Sequence, residues 1–533
     1  MSGHSFDYVI IGGGSAGCLM ANRLSKNPHH HVALIEAGGD DNWIWFHIPV
    51  GYLFAIGNPR ADWMYKTDPV KGLNGRSINY PRGKVLGGSS AINGMLYMRG
   101  QQQDYENWRA LGLEGWGWED VKPLFMRHED YFLGRSDHHG EDGEWRVEEP
   151  RIRWEILDHF MQAAIETGIP RTYDFNTGDN EGVDYFQVNQ KRGRRWSAAR
   201  GFLEPILKRP NLTVIRHAQV EKILCQDQRA QTVCLKQNGQ DITINARKEI
   251  ILCAGAIGTP NILERSGIGD ASRLRELNIP LVHHLAGVGE NLQDHLQIRP
   301  IYKVSNAKTL NTEYKSLFKR ALMGIDYALF RRGPLTMAPS QLCAFTRSSP
   351  QYKTANIEFH VQPLSLDRFG EPLHDFPAMT VSVCNLRPTS RGAIHITSPD
   401  PNVPPSIQPN YLATPEDEHV AIDSLKLVRR IMSAPAMKQH HPQEYMPGIE
   451  VMSDADLLKA AATHSSTIFH PVGTAKMGRI DDPMAVTDDK LRVIGIDGLR
   501  IADASTMPLI TSGNTNSPTL MIAEKAAQLI LNP

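Results

Sequence analysis

The order of apolar and polar positions at the start of the chain predicts a strand, a helix and a second strand. Residues 8–11 (Tyr-Val-Ile-Ile) form a short apolar run with β-branched side chains, as a buried strand does. The glycine-rich run 12–17 predicts a turn, and apolar residues have helical spacing within 18–26. The apolar run 32–35 predicts the next strand, which ends at Glu36. This order is that of a βαβ unit.

Later stretches of the chain predict further elements. Residues 212–254 contain several strand-like runs, residues 499–502 form another, and residues 519–531 have the pattern of a helix. Residues 38–110 are rich in Gly, Pro and Asn and predict an irregular segment. Long irregular segments are uncommon in compact domains unless they are functional, so this one is a candidate ligand-binding segment.

The turn of the βαβ unit matches a dinucleotide-binding motif. Gly12, Gly14 and Gly17 fit G-x-G-x-x-G between the first strand and the helix, where the backbone approaches a pyrophosphate and the helix N-terminus faces it. Glu36 stands 19 positions after Gly17, where an acid accepts a hydrogen bond from a ribose hydroxyl and repels a 2′-phosphate. The motif disfavours NADP and leaves NAD and FAD both open.

Composition narrows the class of protein. The chain has 533 residues, 41% of them hydrophobic and 22% charged, which is typical of a globular protein with two to four structural units. The formal net charge of -1 gives no general attraction to nucleic acid, and none is expected as a partner. Six scattered cysteines without a Cys-x-x-Cys pair predict reduced thiols in a cytoplasmic protein.

The same inspection bears on membranes. The first residues lack the basic and apolar regions of a signal peptide, and no run of 18 apolar residues predicts a transmembrane span. Peripheral association with the inner membrane through a surface patch stays open, as does the oligomeric state.

Two longer motifs go beyond the glycine turn. Residues 83–93 (Gly-Lys-Val-Leu-Gly-Gly-Ser-Ser-Ala-Ile-Asn) and residues 255–269 (Gly-Ala-Ile-Gly-Thr-Pro-Asn-Ile-Leu-Glu-Arg-Ser-Gly-Ile-Gly) each hold Gly, Ser and Pro in a specific order. They resemble the two signatures of the glucose–methanol–choline (GMC) oxidoreductases. Residues 503–505 and 513–518 also resemble that family, so the likeness covers essentially the whole chain, more loosely in the inserted domain.

The resemblance implies the fold and the cofactor. The fold class is α/β: a Rossmann-like FAD-binding domain with an inserted α+β substrate domain that contains an antiparallel sheet. We expect the FAD-binding domain to comprise residues 1–155, 211–300 and 465–533, and the substrate domain residues 156–210 and 301–464. The family binds FAD rather than NAD. Some members tether the flavin through a His before the equivalent of Asn93; Ile92 stands there and has no nucleophilic atom, so the FAD should be non-covalent.

The resemblance also implies which residues contact FAD. Residues of the first signature should lie along the pyrophosphate and isoalloxazine, Val220 at the adenine, Asp503 and Ala504 near the ribityl chain, and Thr515 near the pyrimidine edge. The expected contacts are Gly12, Gly14, Ser15, Ala16, Glu36, Ala37, Arg82, Gly87, Ser89, Asn93, Gly94, Met95, Leu96, Val220, Ala254, Asp503, Ala504, Asn514 and Thr515.

Two residues are expected to carry catalysis. His470, within Phe-His-Pro-Val-Gly, stands where the family's catalytic histidine stands, and an imidazole suits removal of a hydroxyl proton near neutral pH. Asn514, 44 positions later, matches the second active-site position, and its amide suits hydrogen bonding to the substrate oxygen. Asn516 is a weaker candidate for a flavin or backbone contact. A hydride would pass from the alcohol carbon to flavin N5.

The sequence leaves more than one alternative for the substrate and for the electron acceptor. The local sequences most resemble FAD-dependent dehydrogenases of primary alcohols, with electrons passing to a quinone or other acceptor. An oxidase that uses oxygen, and a choline or sorbose-like sugar dehydrogenase, are the alternatives. A flavin-binding protein without turnover and an NAD-dependent dehydrogenase are the rivals from other classes.

Other polar features are predicted to be structural. The adjacent histidine pairs lack the ligand spacing of a metal centre, so no metal site is expected. The basic run 192–195 (Arg-Gly-Arg-Arg) is interpreted as a solvated surface cluster, and residues 293–295 (Gln-Asp-His) as structural packing near the flavin domain.

Overall fold

A computed structural model describes residues 4–367 and 371–532 of the chain. Within these residues the first sheet has a parallel part, in which residues 8–11, 32–35 and 250–252 are apolar and buried because both faces are covered. An antiparallel hairpin extends it at one edge. In spatial order the strands are Leu212–Ile215, Val32–Ile35, His4–Ile11, Gln240–Leu252, Arg229–Gln237 and Ala218–Gln226, with Leu499–Ile501 also paired to the end of Gln240–Leu252.

Side chains of the first strand alternate between two cores, as the period of a strand requires. Tyr8 and Ile10 belong to the core under the helices Ser15–Leu24 and Asn516–Leu531, which pack on each other. Val9 and Ile11 belong to the core on the opposite face, with the helix Gly255–Arg265. The sheet is therefore held between two helical layers, and its carboxyl edge is left open to a ligand.

The second sheet is antiparallel in every described pairing. Ile357, Phe359 and Val361 face a core with the helices Glu155–Glu166 and Pro415–Met432, whereas the alternate residues 358, 360 and 362 are polar and face the other way. Its strands are Gly182–Tyr185, Leu296–Ile298, Ile301–Lys303, Leu342–Thr346, Ile357–Gln362, Ala378–Asn385, Gln443–Met446 and Ser465–Thr467.

Shorter elements complete the described chain. The other α-helices are Tyr52–Ala55, Gln102–Ala110, Trp118–His128, Ala271–Glu276, Leu310–Glu313, Leu317–Phe330, Pro435–Lys438 and Asp454–Thr463. The 3-10 and π turns are Ile44–Phe46, Pro49–Gly51, Lys71–Leu73, Gly88–Ala91, Ala199–Leu203, Glu204–Ile206, Pro334–Thr336 and Ala504–Thr506. Two-stranded ladders join Glu129–Tyr131 to Trp145–Val147, Gln190–Lys191 to Arg194–Arg195, Ile268–Gly269 to His283–His284, and Ala393–His395 to Ser406–Gln408.

The α/β class and the order of the first elements are confirmed, and several boundaries differ. The first helix starts at Ser15 rather than residue 18, because Gly14 is its N-cap and the motif's third glycine lies in the first turn. The last helix starts at Asn516 rather than 519. The segment 38–110 is mostly irregular as expected, but it ends in the helix Gln102–Ala110, which the polar sequence concealed. All six cysteines are free.

The proposed domain division follows the two sheets, with differences at its edges. Leu296–Ile298 and Ser465–Thr467, which the sequence placed in the FAD-binding domain, pair with each other and join the second sheet. Ala199–Leu203, placed in the substrate domain, packs against the helix Ser15–Leu24. The exact boundaries stay a prediction. In the described part of the chain, no helix has the length and apolarity needed to cross a membrane.

Candidate active site

A cavity of about 870 Å³ lies between the carboxyl edge of the first sheet and the polar face of the second. It brings together His470, Asn514 and all the predicted FAD contacts except Gly87. Gly87 lies behind the wall, where its N–H donates to the carbonyl of Gly13, and the adjacent Gly88 lines the cavity instead. Residues distant in sequence therefore meet at one site.

The glycine turn has the close approaches that its motif implies. Gly12 has a φ of +102°, and a Cβ there would lie 2.4 Å from the carbonyl oxygen of Cys253. A Cβ on Gly17 would lie 1.8 Å from the carbonyl oxygen of Gly12. The N-terminus of the helix Ser15–Leu24 therefore opens on the cavity, as does that of Asn516–Leu531. Two helix N-termini make this wall favourable for an anionic ligand.

Glu36 is placed as the motif predicts. Its Oε2 accepts the N–H of Gly13 at 2.8 Å, and its Oε1 accepts the N–H of Gly38 at 2.7 Å. Burial raises the pKa of Glu36 to about 7, although those two backbone donors act in the opposite direction. The carboxyl group lines the cavity and retains lone pairs to accept a ribose hydroxyl.

A buried arginine holds the first signature in place. Arg195 is fully buried, and its guanidinium donates to Asn93 Oδ1 at 3.0 Å and to the carbonyl of Ser90 at 3.3 Å. Asn93 Oδ1 also accepts the N–H of Met95 at 2.9 Å. The interpretation of residues 192–195 as a solvated cluster is therefore wrong for Arg195. Sequence alone gave no signal for this pairing, because about a hundred residues separate the partners.

A chain of hydrogen bonds fixes the protonation state of His470. His295 Nε2 lies 3.0 Å from the carbonyl of Leu386, which can only accept, so Nε2 carries the proton and Nδ1 of a neutral His295 accepts. His470 Nδ1 lies 3.0 Å from His295 Nδ1 and must donate to it. The lone pair of neutral His470 is then on Nε2, 3.0 Å from Asn514 Nδ2.

The surroundings keep His470 neutral. Burial, followed by the nearby His295, His360 and Arg82, holds the pKa of His470 well below its usual value. Burial also lowers the pKa of His295. The pair is thus a neutral relay with a free base nitrogen at the cavity.

Asp294 anchors this arrangement. Its Oδ1 accepts the N–H of His470 at 2.8 Å and the N–H of His295 at 2.9 Å. Its Oδ2 accepts the hydroxyls of Tyr80 at 2.7 Å, Thr467 at 2.6 Å and Tyr411. The interpretation of residues 293–295 as structural packing is incomplete, because Asp294 and His295 hydrogen-bond directly to His470. A polar Asp-His pair after a glycine-rich turn was the available signal.

A second buried group lies nearby, on the polar face of the second sheet. Ligating atoms of Glu358, His360 and Cys384 all lie within 4.8 Å of one another. His360 Nε2 is 3.2 Å from Glu358 Oε1, so the two side chains lie side by side on one strand. His360 lines the cavity, and its Nδ1 is 3.1 Å from the hydroxyl of Ser340. This cluster was not predicted from the sequence, because only adjacent histidines were considered. The members of the cluster lie on two neighbouring strands.

The cavity lining fits FAD. Among the described residues, Asn514 Oδ1 and Asn516 Nδ2 are buried and have no hydrogen-bond partner. Buried polar atoms are nearly always paired, and a ligand with both a donor and an acceptor, such as the edge of an isoalloxazine, would pair these two. At the other end, the helix N-termini and Glu36 suit a pyrophosphate and a ribose.

Family models for the GMC oxidoreductases match residues 6–297 and residues 388–523 of the chain. The chain belongs to the GMC oxidoreductase family. FAD is accordingly its cofactor, and the two matched segments contain all of the cavity lining except Pro339, Ser340, His360 and Gln362.

Relatives match over the full length. An alcohol dehydrogenase [acceptor] of Pseudomonas putida is 41% identical and covers 99% of this chain and 96% of its own. An oxygen-dependent choline dehydrogenase of Ectopseudomonas mendocina (strain ymp) is also 41% identical, covering 99% of this chain and 94% of its own.

A solved structure shares the architecture. Pyridoxine 4-oxidase from Mesorbium loti superposes with a TM-score of 0.89 at 30% identity, covering 98% of each chain. This GMC oxidoreductase therefore has the family fold in both its FAD-binding and its second sheet.

The five hydrogen bonds accepted by Asp294 predict that its replacement lowers the stability of the protein. Replacing it by Asn puts an N–H₂ group among five donors and leaves buried groups of His470, Tyr80 or Tyr411 unpaired. We expect Asp294→Asn to lower the free energy of unfolding by about 2–5 kcal/mol, measured by denaturant unfolding of the FAD-loaded protein.

The matched control is Asp481→Asn, whose exposed pair with Arg479 should change stability by less than about 0.5 kcal/mol. Equal stability of both variants and the native protein would contradict the role of Asp294.

Proposed function

We propose that this GMC oxidoreductase oxidises a primary alcohol to the aldehyde, with His470 as the general base, and passes the electrons to a quinone or another acceptor. The observation that carries the proposal is the lone pair on Nε2 of a neutral His470, which lies in the FAD-binding cavity and, among the described residues, accepts a hydrogen bond only from Asn514 Nδ2. Relatives named as alcohol and choline dehydrogenases support the same type of reaction.

The chain's own residues supply the proton transfer. The substrate hydroxyl donates to His470 Nε2, in the place that Asn514 Nδ2 occupies in the structure. Asn514 turns its N–H to the substrate oxygen and stabilises the negative charge that develops as the proton leaves. FAD, when bound, accepts the hydride from the alcohol carbon. Asp294 and His295 keep the imidazole oriented throughout.

The lining near His470 favours an uncharged substrate. It combines apolar side chains with neutral polar ones: Leu96, Pro339, Ile468, Gln297, Ser340 and Gln362. The described acidic residues of the cavity lie elsewhere or are occupied: Glu36 by two backbone donors, Asp503 by Ser505 and Thr259, and Asp68 by Ser406. A quaternary ammonium is held by aromatic faces together with a carboxylate; Trp63, Tyr65 and Phe469 line the cavity, but its described carboxylates are occupied, so choline ranks below a neutral alcohol.

Two further assignments accompany the proposal. The six free thiols support a reducing compartment such as the cytoplasm. Oxygen is the alternative acceptor, favoured by the likeness to an oxidase of pyridoxine. A sugar is the alternative uncharged substrate, because the neutral polar groups of the lining suit additional hydroxyls.

The substrate class is tested by mixing the purified FAD-bound protein without oxygen with a panel of primary alcohols, choline and a sugar. We expect the visible flavin band to bleach fastest with uncharged primary alcohols, and to recover slowly when air is admitted. Bleaching by choline alone would contradict the substrate class, and immediate recovery in air would assign an oxidase.

Removing the base should separate catalysis from cofactor binding. We expect His470→Ala to retain FAD, because its other contacts are unchanged, and to slow flavin reduction by about 10²–10⁴ in stopped-flow measurements. The exposed His419→Ala is the control and should reduce at the native rate. A near-native rate in His470→Ala would rule out the assignment.

The lowered pKa of His470 predicts the pH dependence. The base is active when neutral, so flavin reduction is lost only as pH falls through its pKa, which lies well below 6.5. We expect a constant rate of reduction down through pH 6.5, with the acid limb below it. An acid limb at or above pH 6.5 would mean that another group is the base.

A further inference from the structure

The helix Leu317–Phe330 presents an apolar stripe to solvent. Leu317 is 77% exposed, Phe318 72% and Leu329 68%. Ile325 and Leu322 are also exposed. Side chains of this size are normally buried, and a contiguous exposed group of them marks an interaction site.

The stripe faces away from the body of the protein. Tyr327 is the buried residue of the helix, and its hydroxyl donates to the carbonyl of Gly193 at 3.1 Å. At about 100° per residue, the exposed apolar side chains from Leu317 to Leu329 fall within a sector of about 140°, centred roughly 150° from Tyr327. Tyr327 thus anchors the helix, and the side opposite it is apolar and exposed; Phe330, which is 57% exposed, lies closer to Tyr327.

Basic residues surround this stripe. The segment 308–332 has six Lys or Arg residues and two acidic ones, a net charge of +4 in a chain whose total is -1. Arg192 and Arg194 are exposed on the adjacent hairpin, whose Gly193 contacts Arg331. These two arginines are exposed, as the sequence predicted, and they add to the positive charge beside the apolar stripe.

A second exposed apolar group adjoins the helix and reaches the cavity. Pro49–Gly51 packs on Pro334–Thr336, which packs on the helix. Directly after it, Leu53 and Phe54 are 41% and 45% exposed, while Tyr52 and Ile56 line the cavity. The apolar surface therefore extends to the wall of the active site.

We propose that the helix Leu317–Phe330 docks this enzyme on an anionic lipid bilayer, with the apolar stripe in the interface and the basic residues at the headgroups. An amphipathic helix with Phe and Leu on one side and Lys and Arg beside them is the usual form of such an anchor. A second copy of the chain is disfavoured as the occupant, because a two-fold interface would bring two segments of net charge +4 together.

The test is co-sedimentation of the full-length FAD-bound protein with vesicles. We expect binding to phosphatidylcholine vesicles that contain phosphatidylglycerol, little binding to phosphatidylcholine alone, and release as salt rises from about 0.1 M to 1 M. Absence of binding to the anionic vesicles, or equal binding to both kinds, would overturn the proposal.

The apolar stripe is tested by the triple variant Phe318→Ser, Leu322→Ser, Leu329→Ser, which should lower vesicle binding about tenfold or more. The control triple variant replaces apolar residues elsewhere that are at least as exposed, Leu133→Ser, Tyr173→Ser and Ile480→Ser, and should bind as the native protein does. Both should keep native FAD content and native flavin reduction by alcohol in solution. Equal binding of both triple variants would overturn the role of the helix.

Native protein gives a second readout that does not depend on a variant. Lys319 and Arg320 are exposed on the helix, and anionic vesicles should slow tryptic cleavage after them. Unchanged cleavage would overturn docking through this helix. So would a dimer in solution that the stripe variant abolishes and lipid does not dissociate, because a second copy would then cover the stripe.

Discussion

The buried carboxylate of Asp294 is the interaction on which the active site depends. It accepts five hydrogen bonds, from side chains or backbone of residues 80, 295, 411, 467 and 470. These donors come from the irregular N-terminal segment, the second sheet and the loop that carries His470. A buried charge is tolerated only when it is fully hydrogen-bonded, so the donors must all be in place together. The position of His470 is thereby tied to the packing of the two sheets.

The electrostatics around His470 follow from that constraint. The oxygens of Asp294 accept hydrogen bonds from backbone N–H and hydroxyl groups and none from the imidazole of His470. Asp294 therefore orients His470 without raising the pKa of its imidazole through a direct ion pair. His295 accepts from Nδ1 and leaves Nε2 as the base nitrogen. The cavity near His470 thus contains oriented dipoles and little uncompensated negative charge, which suits the transfer of a proton from a neutral alcohol.

Sequence predicted those parts of the site that depend on local backbone geometry. Gly12, Gly17 and Glu36 follow from the strand–turn–helix pattern: Gly17 and Glu36 make contacts within one βαβ unit, and Gly12 has the positive φ that the turn requires. The positions of His470 and Asn514 came from family resemblance, and the structure brings them into contact. Arg195 and the Glu358–His360 pair depend on partners fixed only by tertiary packing, and no period or motif in the chain marks them. The sequence also mispredicted the start of the first helix and missed the helix Gln102–Ala110. The capping glycine at residue 14 and this polar helix give only weak apolar signals.

The turn Tyr52–Ala55 connects the cavity to the surface and bears on the electron acceptor. Tyr52 and Ile56 belong to the cavity wall, whereas Leu53 and Phe54 lie on the outside, next to the segment that supports the helix Leu317–Phe330. Oxygen can diffuse to a flavin from any side, so an oxygen acceptor would not explain the exposed apolar residues Leu53 and Phe54. A lipid-soluble quinone acceptor would explain them, because such a quinone stays in the bilayer and must meet the reduced enzyme there. The same exposed residues thus argue for membrane docking and for a quinone over oxygen, and a long-chain alcohol dissolved in the bilayer would reach the cavity by the same side.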